Sequence, residues 1–225
     1  MTLREASARF LEHLKPTSSH DHDEAQTHIQ TVELLTSCLP EATLADLTPA
    51  RLRDFAARWY VEQTNHKPEP QALLDSLAGF LSWVDANTAS MLEEGCNAVI
   101  AELKASLPRA LEISGILSAQ LGSGGAFGFP EFLTSFEEGG RSQYDVDVGG
   151  SVAALEGFFR ISRVEGTRVE AEELISEERV WPVSFPPEAA ALLEVGYIVN
   201  LELVRAGDGW HIAACGFAYP PATEF

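Results

Sequence analysis

Cysteine is scarce in this 225-residue chain, and Cys38, Cys96 and Cys215 are far apart and odd in number. They form neither a disulfide framework nor a zinc-ligand pattern, and read as reduced, buried thiols. Long hydrophobic runs are missing: none approaches the ~18 apolar residues that a membrane span needs. The opening MTLREASARF carries charges and no apolar stretch, so it does not read as a signal peptide. Bases are few. Lys and Arg total 15 against 34 Asp and Glu, a formal net charge of −19. That excess opposes non-specific attraction to nucleic acid and to anionic membranes. Residues 1–90 hold 13 acids and 7 bases, and residues 91–225 hold 21 and 8, so the second half carries most of it. Catalytic signatures are missing too. There is no G-x-S-x-G elbow, and no histidine is followed by arginine three positions later. The glycine run Gly122–Gly128 contains no lysine, which a phosphate-cradling P-loop requires, and reads as a linker. These absences lead us to expect a cytoplasmic protein that does not insert in membranes, is not an enzyme and holds no cofactor or metal.

What is present falls into two patterns. The first is helical. Thr2 with Glu5 three residues on is a capping box, and Leu3, Ala6, Phe10 and Leu14 follow on one face. Pro16 and Ser18–Ser19 end that helix. His20, Asp21, His22, Asp23 and His28 are metal-ligand residue types. His20 and His22 are two apart, however, which does not put them on one helical face. A solvated helix start, acids at the positive end of the dipole, is the reading we adopt. Ile29, Val32, Leu35 and Leu39 continue that helix to Pro40. Thr48 as N-cap and Pro49 as first helical residue start another, with Leu52, Phe55, Ala56 and Trp59 as its apolar stripe. Leu73, Leu74, Leu77, Phe80, Leu81 and Val84 give the next helix a face too wide for a surface helix, and Trp83 beside it is placed to seal it. Residues 88–120 read as helix, capped by Thr88 and kinked or divided at Pro108.

The order of Phe10 and Leu14, a second helix, ADLTPARLRDF at residues 45–55 and LAGFLSWVD at residues 77–85 resembles the N-terminal core-binding (SAM-like) domain of tyrosine recombinases of the phage-integrase type. The resemblance covers residues 1–87. It implies a bundle of about four helices that grips duplex DNA, with Arg51, Arg53, Arg58 and Lys67 as the contacts. Recombinase catalysis is not implied, because that chemistry uses a separate domain with a His-x-x-Arg element.

From Ser151 the period changes to two. Ala153, Leu155, Gly157, Phe159 and Ile161 alternate, as do Val199, Leu201 and Leu203. Strands are expected near 153–164, 167–174, 179–185, 197–205 and 210–218, with a short helix from Pro186-Pro187-Glu188 and a final hairpin at Ala206–Gly209. The fold class is therefore α+β: a helical bundle over residues 1–120, a Gly-rich linker over 121–150, and a small β-barrel, SH3-like or OB-like, over 151–225. Trp181, Tyr197, Trp210 and Tyr219 are candidates to line a partner groove, which the acidic surroundings would suit to a basic protein or peptide. Two functions follow. One is a non-catalytic protein associated with duplex DNA through the bundle. The other is an interaction or scaffold module that uses the acidic barrel, alone or as a homo-oligomer.

Overall fold

The structure, a computed structural model, describes residues 1–14, 20–63, 68–120 and 153–225. The expected linker at 121–150 lies outside the described residues, as do Lys67 and the Ser18–Ser19 stop. The described chain is helical in its N-terminal half and a sheet in its C-terminal half. It divides into two compact units, Met1–Arg109 with Ala222–Phe225, and Ala110–Pro221.

The first unit is built from α1 (Leu3–His13), α2 (His20–Cys38), α3 (Pro49–Arg53), α4 (Pro70–Asn87) and the first part of α5 (Leu92–Gln120). Thr2 and Glu5 form the capping box on α1, and Thr48 caps α3 ahead of Pro49. Both starts are local side-chain-to-backbone bonds, which is why they were legible from four residues of sequence. α4 buries Leu73, Leu74, Leu77, Phe80, Leu81 and Val84, and packs on α1 and α2. Phe10 brings its ring to 5.3 Å from that of Phe80 and 5.6 Å from that of Trp83, so Trp83 does cover the edge of this face.

Three details depart from expectation. α3 passes into a π-helical turn, Asp54–Trp59, closed by the Tyr60 N–H donating to the Phe55 carbonyl at 2.8 Å. A π turn takes up an extra residue, so the buried face steps from Trp59 to Tyr60. Tyr60 is fully buried, with its hydroxyl donating to the Pro68 carbonyl, while Trp59 is half-buried. Pro108 does not divide the helix at 88–120, because α5 runs through it. Proline removes one backbone bond, and the buried stripe of Leu103, Leu107, Ala110 and Ile113 continues on either side of it. Finally, Thr88 does not cap α5. Its hydroxyl donates back to the Val84 carbonyl. The cap is Asp85, whose carboxylate accepts from the Leu92 and Glu93 N–H groups at 2.9 and 2.8 Å. Replacing Asp85 with alanine is expected to cost about 1 kcal/mol of stability, the usual value of an N-cap. Urea or thermal unfolding measures it, and an unchanged midpoint would show that the cap contributes nothing.

The second unit contains β1 (Ala154–Glu165), β2 (Arg168–Glu173), β3 (Arg179–Ser184), α6 (Pro187–Leu192), β4 (Ile198–Ala206) and β5 (Gly209–Tyr219). The strand bounds match the alternation to within two residues. The strands lie in the order β1-β2-β3-β5-β4, and β4 pairs back onto β1, so the sheet closes on itself. All pairings are antiparallel except β3 with β5. Phe159, Ile161, Val169, Ala171, Val180, Val183, Val199, Leu201 and Leu203 fill the interior. Ala110, Ile113 and Leu117 of α5 belong to this same cluster. The compact division therefore falls at Arg109 rather than at residue 120: these apolar side chains are buried among strands.

Candidate functional site

The arginines expected to contact DNA begin from α3. Arg51, Arg53 and Arg58 border a groove of about 620 Å³ in the helical unit, together with Pro49, Val99 and Phe225. Arg51 is exposed. Arg53 is held by a two-pronged bond to Glu102, at 2.7 and 2.8 Å, which lowers the Glu102 carboxyl below its usual range. Arg58 pairs with Asp54 one turn back at 2.8 Å. The Arg58–Asp54 pair is exposed, and such pairs contribute little net stability, on the order of 0–1 kcal/mol, whereas the two-pronged Arg53–Glu102 geometry is the stronger of the two. Their carboxylates nonetheless compete with a phosphate. Glu224 adds a further acid to the groove wall. The structure therefore brings Arg51, Arg53 and Arg58 together, with Arg53 and Arg58 each paired to a carboxylate.

The histidine-rich segment lies at the start of α2, where His20–Asp23 are helical. His28 faces into the unit: its Nδ1 lies 2.6 Å from the Ser76 hydroxyl and its ring stands edge-on to Phe10 at 5.4 Å. A hydrogen bond in an apolar setting accounts for this histidine. Among the described residues, no group of three or more His, Cys, Asp or Glu is placed to hold a metal ion. The thiols of Cys38 and Cys215 are pushed up to about 11, mainly by burial, which leaves them unreactive as nucleophiles at neutral pH. No helix of the described residues is long and apolar enough to cross a membrane.

The aromatic set expected to line a groove in the sheet does not come together. Tyr197 and Tyr219 are buried at 1% and 3% exposure, and Trp210 at 8%. These three are wall and core of the closed sheet, not an open groove. Their position follows from the register: Tyr197 leads into β4 and Tyr219 ends β5 opposite Ile198, so both are covered where the strands close. Trp181 differs. It is half-buried on the outer face of β3, with the guanidinium carbons of Arg163 and Arg168 at 5.1 and 5.2 Å from its ring centre.

Two irregularities produce that arrangement. Between the pairs Val169↔Val183 and Ala171↔Val180, β3 has one more residue than β2, so Trp181 and Pro182 together oppose Glu170. Between Ile161↔Ala171 and Arg163↔Glu170, β1 has one extra, Ser162. Both are β-bulges, which re-aim side chains and allow proline within a strand. The bulge in β1 turns Arg163 outward, next to the start of β2, where Arg168 follows the Gly166 turn. A bulge shows in the sequence only as a slip in the alternation, from Ile161 to Val164 in β1 and from Val180 to Val183 in β3. Pro182 inside β3 is a further local hint.

The β1–β4 side of the sheet has another character. Glu156 and Glu202 are directly opposed across the strands, and burial together with Glu202 raises the Glu156 carboxyl above its usual range. No protein-family model matches the chain, and no curated protein and no solved structure matches it either.

Proposed function

We propose that the chain is a non-catalytic two-domain protein that associates with duplex DNA through its helical unit, a bundle resembling a recombinase core-binding domain without the catalytic domain. The observation that carries this reading is the groove at α3, where Arg51, Arg53 and Arg58 converge. Guanidinium groups bind phosphate oxygens in a two-pronged fashion; Arg51 is exposed, and the exposed Arg58–Asp54 pair is weak enough to be exchanged. The acidity of the whole chain works against this at long range, but charges beyond about 10 Å are largely screened at physiological salt. We read the closed sheet as a small barrel, OB-like rather than SH3-like. The support is a helix between β3 and β4 and the insertion of β5 between those two strands, a Greek-key step that a simple meander lacks.

A mobility shift with duplex DNA tests the proposal. Binding is expected at ~50 mM salt, with log affinity falling by about 0.9 per decade of salt for each phosphate contacted. The double change Arg51→Ala, Arg58→Ala should weaken it roughly tenfold and reduce that slope by about two contacts. Absence of any shift at low salt would remove the reading.

A second reading is an interaction module that takes a basic protein or peptide on the sheet, alone or as a homo-oligomer. The facing carboxylates of Glu156 and Glu202 favour it. Saturable binding of a poly-arginine peptide that is lost in Glu156→Gln, Glu202→Gln would support this reading against the first.

A further inference from the structure

The outer face of β1–β2–β3 departs from the rest of the chain in charge. Over the stretch of β1 that pairs with β2, and over β2 and β3, the outward charged residues are Arg160, Arg163, Arg168 and Arg179 against Glu165, Glu170 and Glu172. Bases outnumber acids there, whereas acids outnumber bases by 34 to 15 in the whole sequence. All four arginines are exposed, while Glu170 and Glu172 are half-buried. Glu165 pairs with Arg163 and Glu172 with Arg179. Arg168 has no carboxylate partner among the described residues, and its guanidinium rests on Trp181.

We propose that this face binds single-stranded nucleic acid, with Trp181 as the base-stacking platform and Arg163 and Arg168 as phosphate donors. A guanidinium lying over an indole can present its edge N–H groups to phosphate; those of Arg168 are free of carboxylates among the described residues, and Arg163 shares its own with the exposed Glu165. The ring itself exchanges an arginine for a base at a gain. Base–aromatic stacking exceeds an exposed cation–π contact by roughly tenfold in equilibrium constant, and the displaced guanidinium then meets the backbone phosphate. A duplex offers no exposed base face to such a platform, whereas a single strand does. A basic peptide, the other occupant of an aromatic surface, would meet four arginines. The two bulges are the independent sign of a built site, since they place both arginines and the tryptophan on one spot around Glu170. Glu170 and Glu165 moderate the local potential, so the binding will be stacking-led and only weakly salt-dependent.

Fluorescence anisotropy of the full chain with labelled oligo-dT and oligo-rU tests this, with an unlabelled duplex of equal length as competitor. Either single strand should bind, with log affinity falling by about 1.4 per decade of salt, as two single-strand phosphate contacts require. Trp181→Ala should weaken binding at least ~10-fold and Trp181→Phe less than ~3-fold, because phenylalanine retains a stacking face. Arg168→Ala should lower the salt slope to about 0.7. Arg168→Glu, which leaves the core untouched, carries the test if Trp181→Ala does not fold: it should weaken binding at least ~10-fold, and parent-like binding by it would overturn the proposal. The proposal is also overturned by any of three results: no binding of either strand at ~50 µM protein in ~50 mM salt, equal competition by the duplex, or a folded Trp181→Ala chain that binds like the parent.

Discussion

Replacing Gly216 with alanine is expected to destabilise the protein by about 2–3 kcal/mol, the upper part of the range for overpacking, because the added methyl is driven against a buried neighbour. An alanine Cβ at this position would meet the Asn200 Oδ1 at 2.5 Å, its Cγ at 3.1 Å and its Cβ at 3.2 Å. Asn200 is 2% exposed and cannot swing away into solvent. Neither can the backbone relax freely. Gly216 and Phe217 together oppose Asn200 in a bulge between the pairs Val199↔Ala218 and Leu201↔Cys215. Glycine is the residue that lets two strands approach this closely. At this chain length 1 kcal/mol corresponds to roughly 2–4 °C in Tm, so a fall of about 5–10 °C is expected. The double change Gly216→Ala, Asn200→Ala should show a smaller loss than the two single changes added together, because shortening Asn200 removes the two closest contacts, those to Oδ1 and Cγ. Additive losses would mean that the contact is not where the destabilisation arises.

The second large effect is expected at Ser114, in the part of α5 that belongs to the sheet unit. Its hydroxyl donates to the Ala110 carbonyl at 3.0 Å and accepts from the Ala218 N–H at 2.8 Å. Ser114 and Ala218 are both buried. Alanine preserves the helix and removes the acceptor, leaving the Ala218 N–H without a partner in an apolar interior, which costs about 1–3 kcal/mol. Two measurements check it. Denaturant unfolding should show the loss, and hydrogen exchange at the Ala218 amide should accelerate more than at neighbouring β5 amides. An unchanged Ala218 exchange rate would show that β5 does not depend on the helix for that bond. The same result would argue against assigning residues 110–120 to the sheet unit.

How far the fold could be read in advance depended on the range of the interactions involved. The capping box of Thr2 and Glu5, the Thr48–Pro49 start and the broad apolar face of α4 act within a few residues, and each was legible. The five strands were legible from alternation because each buries one face. What escaped was set by contacts between distant segments. Thr88 looked like the cap of α5, but Asp85 takes the role because the chain turns back between α4 and α5 and brings its carboxylate over the first N–H groups. Trp59 looked like core, but the π turn passed that place to Tyr60. The four aromatics proposed for a groove looked alike in sequence, and closure of the sheet buried Tyr197, Trp210 and Tyr219 while bulges turned Trp181 outward.

The candidate sites divide in the same way. Arg51, Arg53 and Arg58 were legible as a cluster because they lie within eight positions on one helical segment. That Arg53 would be gripped by Glu102 was not, since that bond spans 49 positions of sequence. The sequence by itself determined the helical and strand halves, the helix starts at Thr2 and Thr48, the short loops and the acidic balance, because propensity, capping and periodicity act locally. Only the tertiary structure decided the closing of β4 onto β1, the allotment of Ala110–Gln120 to the sheet unit, and the meeting of Arg163, Arg168 and Trp181. Each of these depends on strand register and on bulges, which arise when segments far apart in the chain fit their side chains together.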